Sequence, residues 1–190
     1  VNDAWRAKAH LHNSYQNMLW LGPTVWGDHD MFHSSDTFAG RMMAVSKAVS
    51  GGPIYLSDDP SELRGEYVKP LCDNRGKLLR PSAPAVPLPR SVMIDPFEGS
   101  EPYLVAAPLP NQCAAVVVYN LTEPTRAVEA KIGPADYQSA AGLLNRERYS
   151  WPEASEGLVL YDWYDGECIE LTSDLKFQLA EFEDRLMLLC

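Results

Sequence analysis

The chain lacks the features that mark several large protein classes. No apolar run approaches the roughly 20 residues needed to cross a bilayer, so no membrane span is expected. The opening Val1-Asn2-Asp3 carries neither a starting Met nor the pattern of a signal peptide, as expected for a fragment of a longer polypeptide. A targeting signal on the parent chain would not be visible here, so cytoplasmic, periplasmic and secreted settings all stay open. Basic residues are outnumbered, with 16 Lys+Arg against 26 Asp+Glu and a net charge of -10. Such a surface repels phosphate backbones and argues against nucleic acid as a partner. Cysteine is scarce: Cys72, Cys113, Cys168 and Cys190 are far apart, and no CxxC pair exists. That excludes a zinc ribbon or a thioredoxin motif. In a chain of this length the cysteines are expected to be buried free thiols rather than a disulfide framework. No internal repeat is present.

What is there suffices for one large domain or two small ones, with 190 residues and 46% hydrophobic content. Its character changes near residue 80. Before that point helical patterns alternate with short apolar runs. Trp5 to about Leu19 reads as a helix, with Trp5, Ala9, Leu11, Tyr15 and Met18 on or near one face. Leu21 to Trp26 reads as a loop feeding a short strand. Ser34, Ser35 and Asp36 are good caps for a second helix carrying Phe38, Met42, Val45 and Val49 as its apolar stripe. Gly51-Gly52 ends that helix, and Pro53 to Leu56 reads as a second buried strand. Asp59-Pro60-Ser61-Glu62 has the form of a capping box opening a helix to about Leu71.

Pro81 to Pro89 holds four prolines, which preclude a helix or a central strand. It marks a boundary: residues 1–80 as one unit, 81–100 as a connecting segment, and 101–190 as another. In the last unit Tyr103–Ala106, Ala114–Tyr119, Ala127–Ile132, Leu158–Tyr161, Cys168–Leu171, Phe177–Phe182 and Leu186–Leu189 are short strand-like runs separated by turn formers. Asp165-Gly166 is a hairpin signal. The spacing predicts an antiparallel sandwich. The fold class is therefore α/β followed by all-β.

The chemistry gathers early. Val25-Trp26-Gly27-Asp28-His29-Asp30-Met31-Phe32-His33-Ser34 sets two carboxylates two residues apart after an apolar run. A helix, a second strand-like run and another acid, Ser57-Asp58, follow. Strand, acid, helix, strand, acid is how a parallel α/β barrel presents a site at the ends of its strands. Two chemical readings compete with plain turn-capping by Asp28 and Asp30. One is a metal site of His10, His12, Asp28 and His33, since imidazole and carboxylate suit zinc or manganese. Against it, alternate strand residues face opposite ways, and residues i and i+2 of a helix do not share a face. The other is a carbohydrate pocket, in which carboxylates accept hydrogen bonds from sugar hydroxyls and Trp20, Trp26 or Phe32 stacks on a pyranose. Of Ser57-Asp58-Asp59, Asp59 is explained as a cap, leaving Ser57 and Asp58 as pocket candidates. Tyr161-Asp162-Trp163-Tyr164-Asp165 reads as a hairpin end with packed aromatics. Asn120-Leu121-Thr122 matches the glycosylation triplet. No cofactor is expected.

Asn17-Met18-Leu19-Trp20-Leu21-Gly22, Asp28-His29-Asp30-Met31-Phe32-His33-Ser34 and Ala48 through Gly52-Pro53-Ile54-Tyr55-Leu56-Ser57-Asp58 resemble the end of the catalytic barrel in glycoside hydrolase family 36. The resemblance is to its raffinose synthase and seed imbibition protein branch, the alkaline α-galactosidase group. Leu78-Leu79-Arg80, Asp95-Pro96, Val118 to Thr122 and Phe182 to Leu189 resemble that branch's later segments. The chain departs at His29, where the branch has Trp, and at Gly27, where it has Pro. The resemblance implies the last units of a (β/α)8 TIM barrel plus a C-terminal antiparallel β-sandwich. Residues 1–20 would be the sixth helix, Asp28–Met31 the end of the seventh strand, and Ser57–Asp58 that of the eighth. It implies a retaining α-galactosidase-like hydrolase, or a raffinose-synthase-like galactosyltransferase, acting on α-galactoside oligosaccharides. Asp30 and Met31 match residues lining the pocket for the terminal sugar, and Asp28 matches the first acid of that motif. The catalytic nucleophile and acid/base lie in Lys-x-Asp and Ser-Asp-Asp motifs on earlier strands; no residue here is assigned either role. The substrate-binding candidates are thus Asp28, Asp30, Met31, Ser57, Asp58 and Trp26. The implied partner is the N-terminal remainder of the same protein, without which the fragment would be inactive and ordered only by homo-oligomerisation or as a nicked chain. The other function classes are a non-catalytic carbohydrate-binding module and the metal-dependent hydrolase.

Overall fold

A computed structural model describes residues 4–143 and 157–190; the opening Val1-Asn2-Asp3 lies outside them. Helix α1, Ala4–Leu21, covers the expected span. Its inward face is Ala7, Leu11, Tyr15 and Met18, a helical i, i+4, i+8, i+11 set. Trp5 lies to one side and is half exposed. Helix α2, Gly40–Ser50, is buried along almost its whole length, and Met42, Val45 and Val49 form the expected stripe. It starts later than predicted, because Asp36 Oδ1 accepts the amides of Phe38 and Ala39 and closes a separate turn there. Phe38 precedes the helix and is exposed. Gly51 (φ 72°) ends α2 in the left-handed region that glycine permits.

Where the seventh and eighth barrel strands were expected, the described residues form no extended strand; one isolated parallel bridge joins Phe32, just past Asp28–Met31, to Leu56, just before Ser57–Asp58. Phe32 N–H donates to the Tyr55 carbonyl (3.3 Å) and Ser57 N–H to the Phe32 carbonyl (3.1 Å). The prediction of a buried strand at Pro53–Leu56 needs correction, because Leu56 is exposed and Ile54 and Tyr55 are only half-buried. With one short ladder there is little to bury them. The helix expected from Asp59 also needs correction. Asp59 Oδ1 accepts the Ser61 amide and hydroxyl and caps a single turn. Ser34 Oγ then accepts the Arg64 amide, drawing Arg64 into an extended conformation that stops propagation. Helix α3 begins only at Gly65 and ends at Val68, running into a 3-10 turn at Lys69–Leu71.

All seven predicted strand runs form strands. With β1 at Val86–Pro87, they are β2 (Tyr103–Leu109), β3 (Cys113–Tyr119), β4 (Val128–Ile132), β5 (Val159–Asp162), β6 (Cys168–Glu170), β7 (Leu175–Leu179) and β8 (Asp184–Leu189). A six-stranded antiparallel sheet has the order β1-β2-β3-β8-β5-β6, and β4 pairs with β7 in a second sheet. The proline-rich stretch, expected to be only a connector, supplies the edge strand β1, where a proline lacking its N–H is tolerated. The large sheet is covered on both faces. Tyr103, Val105, Val117 and Tyr119 face α1 and α2, while Leu104, Val116 and Val118 face the second sheet. Two-sided burial explains why β2 and β3 read as unbroken apolar runs.

Two further features were not expected. Helix α4, Pro134–Leu143, stands where only a Gly133-Pro134 turn was read. The missed signal was Asp136, whose Oδ2 accepts the Gly133 amide as the acid of a capping box does. Cys113 and Cys190 form a disulfide, overturning the reading of all four cysteines as free thiols. They stand opposite each other at the ends of the paired β3 and β8, so the sheet register brings them together. Cys72 and Cys168 are free, and Cys168 is exposed. The glycosylation triplet has a structural role instead. Asn120 is fully buried, and its amide nitrogen donates to the carbonyls of Arg126 and Ala180.

Candidate functional site

The segment Gly27–Asp36, which contains the bridge residue Phe32, leads from the loop after α1 to α2. Asp28 accepts the Tyr55 hydroxyl on both carboxylate oxygens at 2.8 Å, and its Oδ1 also accepts the Asp30 amide at 2.8 Å. The Tyr55 hydroxyl and that amide hold the Asp28 carboxyl below the usual carboxylate range, and the same bond raises Tyr55. The turn sends Asp30 into the left-handed region (φ 64°), with its Oδ1 accepting the Met31 amide at 2.7 Å. A non-glycine residue there carries strain on the order of 1 kcal/mol, of the kind that gathers at ligand-binding sites. Both Asp28 and Asp30 are exposed.

Beside this turn lies a cavity of about 390 Å³, within the ~300–1,000 Å³ common for small-molecule sites. Arg6 and His10 of α1, Asp30, Met31 and His33 of the loop, and Met43 of α2 are among its walls. Of the six candidates, Asp30 and Met31 therefore share one cavity. Asp28 stands behind them as the acceptor that shapes the turn. Trp26 lies elsewhere, packed over Gly51, where a Cβ would come within 2.0 Å of its ring. Ser57 donates its amide to Phe32, and its buried hydroxyl has no partner among the described residues. Asp58 accepts the amides of Ser34 (2.8 Å) and Ser35 (2.7 Å), stapling the eighth-strand end to the loop after the seventh. Burial pushes the Asp58 carboxyl up, but those two amides outweigh it and leave it lowered. Trp26, Ser57 and Asp58 do not line the cavity.

The four histidines do not converge. His12 turns to Phe97 and Tyr103. His29 is buried, with Nδ1 bonded to Ser46 Oγ at 2.6 Å and its ring edge on Tyr15. Burial first, and the Lys47 charge next, depress its pKa to about 3, so it is neutral. His10 Nε2 meets the His29 carbonyl at 3.0 Å and therefore carries a proton there. Among the described residues no three His, Cys, Asp or Glu side chains are grouped to hold a metal ion.

Lys47, which the sequence reading passed over, sits under this loop. It is fully buried in the middle of α2, and its Nζ donates to the His29 carbonyl. Burial lowers its pKa to about 8 against the pull of Asp30 and Asp28. The signal was a lysine inside an otherwise small and apolar run, Ala44-Val45-Ser46-Lys47-Ala48-Val49.

Helices beside a parallel bridge, with Asp28 and Asp30 in the turn before Phe32 and Asp58 just after Leu56, followed by an antiparallel sandwich, have the arrangement of the C-terminal part of an α-galactosidase-type fold. The solved structures agree. Alpha-galactosidase I from Mortierella vinacea superposes with a TM-score of 0.63 at 13% identity, over 94% of this chain and 43% of that one. The alpha-galactosidase of Saccharomyces cerevisiae, solved with raffinose, does so at 0.63 with 8% identity, over 95% of this chain and 50% of that one. The family model for raffinose synthase or seed imbibition protein Sip1 matches residues 2–131, more than half of the chain. The chain belongs to that family. The galactinol–sucrose galactosyltransferase of Pisum sativum is 31% identical over 100 residues, 53% of this chain. The chain spans only 12% of that relative's length.

Proposed function

We propose that this chain is the C-terminal portion of an enzyme that transfers galactosyl groups from α-galactosides, contributing one wall of the sugar pocket. Residues 1–80 complete the catalytic barrel, 81–100 connect and lend edge strand β1 to the large sheet, and 101–190 form the rest of the β domain. The carrying observation is the cavity that holds Asp30 and Met31 together, with Asp30 fixed in a strained turn by Asp28. Asp30 accepts hydrogen bonds from sugar hydroxyls, and Met31 packs on the ring's apolar face. The reaction follows the retaining course: one carboxylate attacks the anomeric carbon while a second protonates the leaving oxygen. Both carboxylates belong to earlier barrel strands in the complete protein, so the 190-residue chain alone is inactive. Likeness to a named galactosyltransferase favours a sugar acceptor over water.

The test is the natural polypeptide incubated with a nitrophenyl α-galactoside, with and without sucrose, reading nitrophenol and the sugar products. Nitrophenol with a new trisaccharide is expected, and nitrophenol with galactose alone would make it a hydrolase. Asp30→Ala should lower kcat/KM by roughly 5- to 150-fold, the ~1–3 kcal/mol of a lost polar partner. A change within twofold sinks the role given to Asp30. No cleavage by the natural polypeptide sinks the whole reading.

A further inference from the structure

Lys47 buries its ammonium between the His29 carbonyl and the Phe32 ring, 5.9 Å from the ring centre. Its stem fills space inside α2's buried face, where methionine would pack as well. Its ammonium is removed from water, which is costly for a charge without a carboxylate partner. Among the ion pairs of the described residues Lys47 has none. It spends the charge instead on the carbonyl of His29, the residue between the two acids of the site loop. Those acids are the carboxylates that act on its charge from nearby. His29 is held from its other side as well, by Ser46 one position earlier on the same helix and by the Tyr15 ring. The helix therefore grips the middle of the loop by both backbone and ring. The gripped residue precedes the one residue of the loop with positive φ, Asp30.

We infer that Lys47 is a positioning residue for sugar recognition, acting through the His29 carbonyl to hold Asp30 in its left-handed turn at the cavity edge. The inference rests on the proposed galactosyl-transfer reading for its kinetic consequence but not for its structural one. A side chain at 47 without a donor leaves the His29 carbonyl only its His10 bond and the same peptide's N–H only its Asp28 bond, so the peptide before Asp30 is held less firmly and Asp30 is freer to leave the cavity edge. Arginine keeps both the charge and a donor.

The experiment compares Lys47→Met and Lys47→Arg in the natural polypeptide by two measurements. The first is amide hydrogen exchange over residues 28–32. Lys47→Met should speed exchange at Asp30 and Met31 at least tenfold while the α1 amides stay within threefold, and Lys47→Arg should stay near the natural rate. The second is nitrophenyl α-galactoside kinetics: KM up at least fivefold in Lys47→Met, with kcat within twofold, and restored within twofold in Lys47→Arg. Unchanged exchange in Lys47→Met overturns the inference. So does equal damage in the two variants, which would mean packing rather than charge. Should Lys47→Met not fold, Lys47→Leu, which also lacks a donor, carries the same expectations. If the natural polypeptide does not cleave α-galactosides, the functional reading fails, and the exchange measurement alone decides the role of Lys47.

Discussion

Removing one hydroxyl from Tyr15 is expected to loosen the junction between the barrel helices and the sandwich. Tyr15 and Tyr119 are fully buried, and their hydroxyls meet at 2.7 Å, joining α1 to β3 across 104 residues of chain. The Tyr15 hydroxyl also lies close enough to Ser46 for that hydroxyl to lower its pKa, whereas among the described residues Tyr119 has Tyr15 as its side-chain hydrogen-bond partner. The two single substitutions are therefore unequal. Tyr15→Phe strands the Tyr119 hydroxyl, at a cost of roughly 1–3 kcal/mol for a buried unsatisfied group. Tyr119→Phe leaves the Tyr15 hydroxyl beside Ser46, which can take up its bond, and should cost about 1 kcal/mol, the net worth of one hydrogen bond. The double variant removes both partners and should cost less than the sum, since nothing is left stranded on β3. Ala7 through Leu186 share one core cluster, so a single transition is expected in urea, followed by tryptophan fluorescence. With a slope of about 2 kcal/mol per molar, Tyr15→Phe moves the midpoint down by roughly 0.5–1.5 M. Equal effects of the two single variants, or strict additivity in the double, would refute the reasoning.

Other expectations concern charge and the crosslink. The Asp184 carboxyl, buried beside Arg41 at 3.3 Å, is pushed from 3.8 up to about 6 by desolvation, against the pull of Arg41. The fold keeps that proton where the unfolded chain has lost it. The stabilisation is full below about pH 4 and is lost as pH rises through 6, a change of roughly 3 kcal/mol. Comparing urea unfolding of the natural chain and Asp184→Asn from pH 4 to 7 should show the natural chain losing that much stability relative to the variant, and parallel curves would exclude it. Asp28 and Asp58, held low, act with the opposite sign, and their contribution fades as pH falls through the acid range. Reducing Cys113–Cys190, which closes a separation of 77 residues, should destabilise by roughly 4–5 kcal/mol on the chain-entropy estimate. A loss below about 1 kcal/mol on adding reductant would show that the unfolded chain is not constrained by the link.

Local patterns made much of this molecule legible before any coordinates. Short strand-like runs bounded by turn residues marked all seven strands from β2 to β8. Asp165-Gly166 marked the β5–β6 hairpin, with Gly166 at φ 71°. Gly51 marked the end of α2, and the Asp28–Met31 motif pointed to the loop that lines the cavity. Each of these rests on residues within about ten positions of one another, where backbone sterics and side-chain period act directly.

Tertiary structure decided the rest, because the partners are far apart in the chain. Ser34 decides that the helix expected at Asp59 starts only at Gly65, since its hydroxyl takes the Arg64 amide from 30 residues away. The register of β3 on β8 places Cys113 against Cys190, which no spacing rule could pair. Asp58, a pocket candidate by sequence, is spent on the Ser34 and Ser35 amides, and Trp26 on Gly51. Lys47 looks like any helical lysine until the packing of α2 buries it, leaving the His29 carbonyl as the acceptor its ammonium reaches. A residue's type and neighbours along the chain determine what it can do. Which of those things it does depends on the groups that folding brings within a few ångströms, and those come from other parts of the chain.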